Sequence, residues 1–544
     1  MTERETQLRT LVVGLDAACR RVLEPLLDAG AVPTLSSLFD EGVAGPLQSQ
    51  VPPWTASAWP SLYTGANPGK HGVFGFLSFD GYDWNVVDAT HVREHTLWEL
   101  AHHHGLTSVV VNGPITYPPQ DVDGAIVPGY TAPEDPECHP PGLLDELRDE
   151  VGEYRLYPTT EGREDATRDE RIAEYRDLAR MRGGAFRYLA DRFDPEFGFL
   201  QFQVTDTVCH ELPGDERALR AVYGAVDEHV GEVLEASDPD TVMVVSDHGI
   251  GEYHTRFRVN EYLRDHGYVE AVRGGEGMPT WSTIRDDRLR DGADAEDAES
   301  DLIERALSAA ARVGLTSQRV GAVLDRLGLL EPVRRRVPDG VIRAASEQVD
   351  FAASRAYVRS RVECGVRINL AGREPDGIVP GDEYEAVRED LIARLSAATT
   401  PDGDPVFDEV VPREAYFWGP EADRAVDVVA VPAGFRHYLT TWLLGDRFAD
   451  PERPAWDHRR EGIVAAAWAG VDEGESLGDP HLFDVAPTVL ATLDLPRSDR
   501  MDGGVLPFAE PAGERTYPEV ERGRRRGTDD AATKRRLSRL GYVE

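Results

Sequence analysis

Seven side chains able to hold a cation or attack an electrophile stand at five separated points of the chain: Asp16, Thr55, Asp206 with His210, Asp247 with His248, and His458. Each point alone has a plain reading. Asp16, after the apolar run LVVGL, is what a helix N-cap looks like. Thr55, in VPPWTASAWPSLYTGANPGKHG, would be a capping hydroxyl, although a Pro/Gly-rich loop before a helix also suits a nucleophile held in the positive field of a helix N-terminus. Asp206 and His210 share one face if the chain turns helical, because i and i+4 are neighbours there. Asp247-His248-Gly249 closes the valine-rich run VMVV, where a buried charge needs a partner. His458 precedes another apolar run. Together they make a complete ligand set for two ions and an activatable hydroxyl. Mixed carboxylate and imidazole donors suit two divalent ions, zinc or alternatively manganese.

Residues so far apart need a scaffold that gathers them. Leu11–Leu15, Ser108–Val111, Phe197–Val204, Thr241–Val245 and Val426–Val431 are short apolar runs that read as buried parallel strands. Helical periodicity fills Arg168–Phe193, Glu216–Ala236 and Ala486–Leu493 between and after them. This alternation predicts an α/β fold, a mostly parallel central sheet sandwiched by helices. Sites in such sheets lie beyond the carboxyl ends of the strands, where Asp16, Asp206 and Asp247 fall. Residues 264–350 are polar, rich in Asp, Arg and Ala, and helical in character over Ser300–Leu330, so they read as an inserted helical cap. The expected organisation is therefore a core of 1–263 and 351–528, the cap at 264–350, and a terminal helix or tail at 529–544.

A formal net charge of −40 over 544 residues, with Lys70 and Lys534 the only lysines, argues against a basic surface for nucleic acid or anionic membrane. It fits a protein of a salt-rich, halophilic cytoplasm. Cys19, Cys138, Cys209 and Cys364 are scattered without a CxxC pair, as in a reducing interior. The polar N-terminus and the lack of a long apolar run point to a cytoplasmic protein without membrane insertion.

PSLYTGANPGKHGV after Thr55, SDHG at Ser246, HRREGI at His458, and FDVAPTVLATLDLP followed by MDGGVL together resemble the alkaline phosphatase superfamily, in its nucleotide pyrophosphatase/phosphodiesterase-like branch. The resemblance implies a metal-dependent phosphoric ester hydrolase acting on a small phosphate ester. One metal would be held by Asp206, His210 and His458, the other by Asp16, Asp247, His248 and the Thr55 oxygen. Thr55 would be the nucleophile of a phosphothreonine-type intermediate, and His71 would be structural. In nucleotide-processing relatives an asparagine follows the loop and holds phosphoryl oxygens; here that region is Val73-Phe74-Gly75-Phe76. Lys70, Arg258 and Arg361 are the cations considered in its place. A sulfatase would need an arginine that Cys138-His139-Pro140-Pro141-Gly142 lacks. A phosphomutase of the cofactor-independent phosphoglycerate mutase type, and a phosphoryl or head-group transferase, are the alternative readings, and a non-catalytic metal protein is a third.

Overall fold

A computed structural model describes residues 8–161, 163, 165–273, 347–451, 455–468, 476–520 and 522. Its centre is a seven-stranded sheet. Thr10–Leu15 lies between Phe197–Phe202 and Thr241–Val245, parallel to both. Ser108–Gly113 and Gly124–Pro128 extend the parallel part beyond Phe197–Phe202. On the other side Glu461–Trp468 runs antiparallel to Thr241–Val245, and Val43–Gln48 antiparallel to Glu461–Trp468.

The strands are apolar throughout because both faces of the sheet are covered. Alternate residues serve alternate faces. Val12, Val110, Phe199, Met243 and Val245 enter one core, with Trp59, Leu62 and Tyr63 of the helix Thr55–Thr64 and Val485, Val489 and Leu490 of the helix Val485–Thr492. Leu11, Val13, Val109, Leu200 and Val244 enter the other, with Leu178, Phe186 and Leu189 of Arg168–Phe193 and Val222, Val226 and Val230 of Glu216–Ser237. The helix Arg168–Phe193 starts at a capping box, in which the Thr167 hydroxyl accepts from the Glu170 amide while the Glu170 carboxylate accepts from the Thr167 amide.

The same helix fastens the preceding loop. Buried Glu174 accepts from Arg155 Nη1 at 2.6 Å and from the amides and hydroxyls of Thr159 and Thr160 at 2.5–2.8 Å. Burial opposes its charge, but these donors prevail and hold the carboxyl down at about 2. A carboxyl depressed in the folded state stabilises above its unfolded pKa, and that contribution fades as pH falls from about 4.5 toward about 2. Glu174→Gln is therefore expected to lower stability at pH 7 by about 2 kcal/mol, with the difference shrinking below pH 4 in denaturant titrations.

A smaller antiparallel sheet joins Ala356–Tyr357, Gly365–Ile368, Val428–Pro432 and Phe407–Pro412 in that order, over its own apolar cluster with the helix Tyr384–Ser396. This corrects one expectation: the run Val426–Val431 is not a parallel strand of the main sheet. A short valine run buried on both faces reads alike in either sheet, and its pairing partners decide which it joins. The cap expected at 264–350 lies mostly outside the described residues, as does the tail 529–544. At its edges, Glu270–Arg273 and Glu347–Asp350 pair antiparallel, so Arg273 and Glu347 stand opposite each other. Among the described residues no helix is long and apolar enough to cross a membrane.

Candidate active site

The carboxyl ends of three neighbouring strands deliver the acidic residues. Asp16 follows Thr10–Leu15, and its Oδ2 accepts from Trp59 Nε1 at 3.0 Å and Gln201 Nε2 at 2.7 Å. Gly14 makes the first contact possible, since a Cβ there would lie 2.5 Å from the Trp59 ring. Phe197–Phe202 leads into the helix Val204–Glu211, which places Asp206 and His210 one turn apart, Oδ1 to Nε2 at 3.1 Å. Asp247 and His248 follow Thr241–Val245, and the Asp247 Oδ1 accepts from the Ala17 amide at 3.4 Å. His458 comes from Ala455–Arg459, a short strand paired with Gly249–Tyr253 so that His458 faces Ile250. Its ring lies 4.0 Å from that of His248 and 5.2 Å from that of His210, centroid to centroid.

Thr55 is the first residue of the helix Thr55–Thr64 and is buried, with Oγ1 3.2 Å from His248 Nε2. The loop after this helix is fixed from the far end of the chain. Asp502 accepts from the Asn67 amide and Nδ2, from Lys70 Nζ at 2.6 Å and from Trp418 Nε1 at 2.9 Å. Gly65 ends the helix at φ +66°, a turn glycine takes without strain, against Met501, Pro487 and Ala486. The segment MDGG thus anchors the loop that follows the Thr55 helix.

The fold therefore brings all seven predicted residues together. Ligand atoms of Asp206, His210 and His458 lie within 4.8 Å of one another, and so do those of Asp16, Asp206 and His248. Asp206 belongs to both groups, whereas the resemblance places it in one. Asp247 Oδ2 lies 3.3 Å from His248 Nε2, beside the second group.

The donor set fits cations. Asp16 Oδ1 and Asp247 Oδ2 are buried and accept no hydrogen bond among the described residues, while Asp206 Oδ1 faces His210 Nε2. Burial, then the neighbouring charges of Asp247 and Asp206, pushes the Asp16 carboxyl well above its ordinary value, and burial and Asp206 do the same to Asp247. Burial also works against Asp206, but His210 and the other imidazoles hold its carboxyl low. His210 is raised to about 9 by Asp206 against the pull of burial, and burial lowers His248 and His458. Three buried carboxylates this close repel one another unless positive charge lies between them.

The imidazoles are oriented for ligation. His248 Nδ1 lies 2.9 Å from the Gly249 carbonyl, which favours a proton there and leaves Nε2 free to ligate. His458 Nδ1 hydrogen-bonds Asp457 Oδ1, and Asp457 in turn pairs with Arg361 Nη1 at 3.3 Å.

A model of the family "Type I phosphodiesterase / nucleotide pyrophosphatase" matches residues 10–363, which include every site residue except His458. The chain belongs to that family. None of the curated proteins compared matches it. Among solved structures it is similar to phosphonoacetate hydrolase from Sinorhizobium meliloti 1021 with phosphonoformate, at 17% identity and TM-score 0.54, covering 89% of this chain and 95% of that one. The phosphonoacetate complex of the same enzyme gives 16% identity and TM-score 0.53, with the same coverage. Human ectonucleotide pyrophosphatase / phosphodiesterase 5 is a weaker likeness, at 12% identity and TM-score 0.47 over 92% of this chain and 98% of that one. These likenesses concern the fold.

Within this family member two of the three candidate cations are engaged away from the site, and Arg361 lies behind it. Lys70 Nζ binds Asp502 and the Arg500 carbonyl, Arg258 Nη1 donates to the Asp446 carbonyl at 2.8 Å, and Arg361 pairs with Asp457. His71 is buried against the Ser61 hydroxyl at 2.8 Å and the Val73 amide, with its pKa lowered to about 3 by burial, in keeping with a structural role. Sequence reading missed Asp457 and Gln201. Asp457 precedes His458 directly, and Gln201 interrupts an otherwise apolar strand, so both left a faint trace. If His458 holds a divalent ion, Asp457→Asn is expected to weaken that binding about 10–100-fold, measured by competition with a chromogenic chelator. The Tyr253 hydroxyl bond to the His458 carbonyl at 2.8 Å should keep the strand in place.

Proposed function

We propose that this protein is a two-metal phosphodiesterase of the nucleotide-pyrophosphatase type, acting on a small phosphate ester through a covalent ester of Thr55. The observation that carries this reading is the Thr55 hydroxyl at a helix N-terminus, 3.2 Å from His248 Nε2 and beside three buried carboxylates. Asp206, His210 and His458 would hold one divalent ion, and Asp16, Asp247, His248 and Thr55 Oγ1 the other; zinc suits the donors and manganese is the alternative. Such ions supply the positive charge that makes a threonine hydroxyl nucleophilic at neutral pH and that stabilises the attacking and departing oxygens of an in-line displacement.

The chain's own residues do the rest. Thr55 Oγ1 gives up its proton to solvent and bonds to phosphorus as the bond to the leaving oxygen breaks. Water then attacks the same phosphorus and returns the Thr55 hydroxyl. The helix N-terminus favours the alkoxide form of Thr55. Trp59 and Gln201 keep Asp16 aimed, and Asp457 does so for His458. With Lys70 and Arg258 engaged away from the site and Arg361 paired with Asp457, a singly charged diester suits the site better than a doubly charged monoester.

The test compares bis-para-nitrophenyl phosphate with para-nitrophenyl phosphate on zinc- or manganese-reconstituted protein at low and high salt. A diester preference that persists in molar salt is expected. A monoester preference points to a phosphatase or mutase, and loss of fold and activity in molar salt removes the halophilic reading.

A further inference from the structure

Trp54 immediately precedes Thr55, caps its helix in an extended conformation, and is 4% exposed. Its ring stacks on His458 with centroids 5.1 Å apart and planes 17° from parallel, and Phe435 stands 6.3 Å away. The indole is thus fixed against a proposed ligand, on the residue that precedes the proposed nucleophile. Its Nε1 is buried and finds no acceptor among the described residues. Two other buried tryptophans nearby do find one: Trp59 Nε1 donates to Asp16 and Trp98 Nε1 to Gln120, each at 3.0 Å.

An indole N–H only donates, so what it lacks is an acceptor. Leaving a buried donor unsatisfied is unfavourable, and native proteins seldom do it without a functional reason. The surrounding carboxylates and imidazoles are arranged around cations, so the missing acceptor arrives with the substrate. We propose that Trp54 Nε1–H is a catalytic hydrogen-bond donor to a nonbridging oxygen of the phosphoryl group that Thr55 attacks. This rests on the phosphoryl-transfer reading above.

The step balances without Trp54 exchanging a proton. The Thr55 Oγ1–phosphorus bond forms, the bond to the leaving oxygen breaks with its electron pair, and the N–H hydrogen bond tightens on the nonbridging oxygen as charge redistributes. Because stacking holds the ring in place beforehand, no reorganisation is needed at the moment of reaction. A neutral donor also adds no positive charge, in keeping with a monoanionic diester.

Trp54→Phe keeps an aromatic ring over His458 and removes only the donor. In zinc-loaded protein kcat for bis-para-nitrophenyl phosphate is expected to fall on the order of 100-fold. Inorganic phosphate should bind more weakly by calorimetry, while zinc content and the substrate-free melting temperature are not reduced. Turnover and phosphate affinity within twofold of wild type would overturn the assignment. So would a parallel loss of zinc, which would make Trp54 a support for His458, or a lowered melting temperature, which would reveal a structural partner for the N–H. If the wild type cleaves no diester, the proposed reaction is at fault, and equal phosphate affinity in the two proteins would still overturn the role of Trp54 separately.

Discussion

Thr55→Ala is expected to lose diester turnover by at least about 10⁴-fold while keeping most of its metal. The first part follows from the absence of a substitute. Cys19, Cys138, Cys209 and Cys364 are all buried, and burial drives their thiols up, away from the reactive thiolate. Among the described residues no other hydroxyl is placed like Thr55 Oγ1, on a helix N-terminus and 3.2 Å from His248 Nε2. The second part follows from the proposed ligand set, since its remaining carboxylates and imidazoles come from other segments. Thr55→Ser keeps the hydroxyl and should retain measurable turnover. Single-turnover kinetics with metal analysis on the same samples separates lost chemistry from lost metal.

Asp247→Asn is expected to abolish metal-dependent turnover, and to raise stability without metal while lowering it with metal. In metal-free protein Asp247 is a buried carboxyl raised by burial and by Asp206. A carboxyl raised in the folded state has its stabilising contribution intact below the unfolded pKa and loses it as pH rises through the folded value. Above the unfolded pKa, metal-free wild type therefore carries an electrostatic cost that asparagine removes, so the metal-free variant should melt higher than metal-free wild type. With metal the order inverts. A ligand present at 1,000 times its Kd stabilises by about 4 kcal/mol, and the variant forfeits most of this. Melting both proteins with zinc and with chelator, from pH 5 to pH 9, checks both signs.

Much of this was legible in the chain because the residues lie where a parallel sheet concentrates polar groups. Asp16, Asp206 and Asp247 each follow an apolar run, and those runs are adjacent strands whose carboxyl ends meet. The i, i+4 spacing of Asp206 and His210 became a grip because the helix Val204–Glu211 begins directly after its strand. The helix Arg168–Phe193 could be read to the residue, since its capping box and apolar face agree. What could not be read depends on pairing between distant segments. Nothing local tells Val428–Pro432 to join an antiparallel sheet, or Asp502 to fasten the loop after Thr64 from the far end of the chain. Arg361 has a side chain of the type that suits a phosphate, but tertiary packing gives it to Asp457 and stacks it over Tyr438 at 4.5 Å. Asp206 falling within reach of both ligand groups is likewise a matter of three dimensions.

The most direct measurement is an acid quench of zinc-loaded protein during turnover of bis-para-nitrophenyl phosphate, followed by peptide mass mapping. The expected result is the mass of the substrate-derived phosphoryl ester on the peptide carrying Thr55, present in wild type, absent without metal and absent in Thr55→Ala. Turnover that proceeds with no adduct on that peptide and survives in Thr55→Ala would contradict covalent catalysis by Thr55.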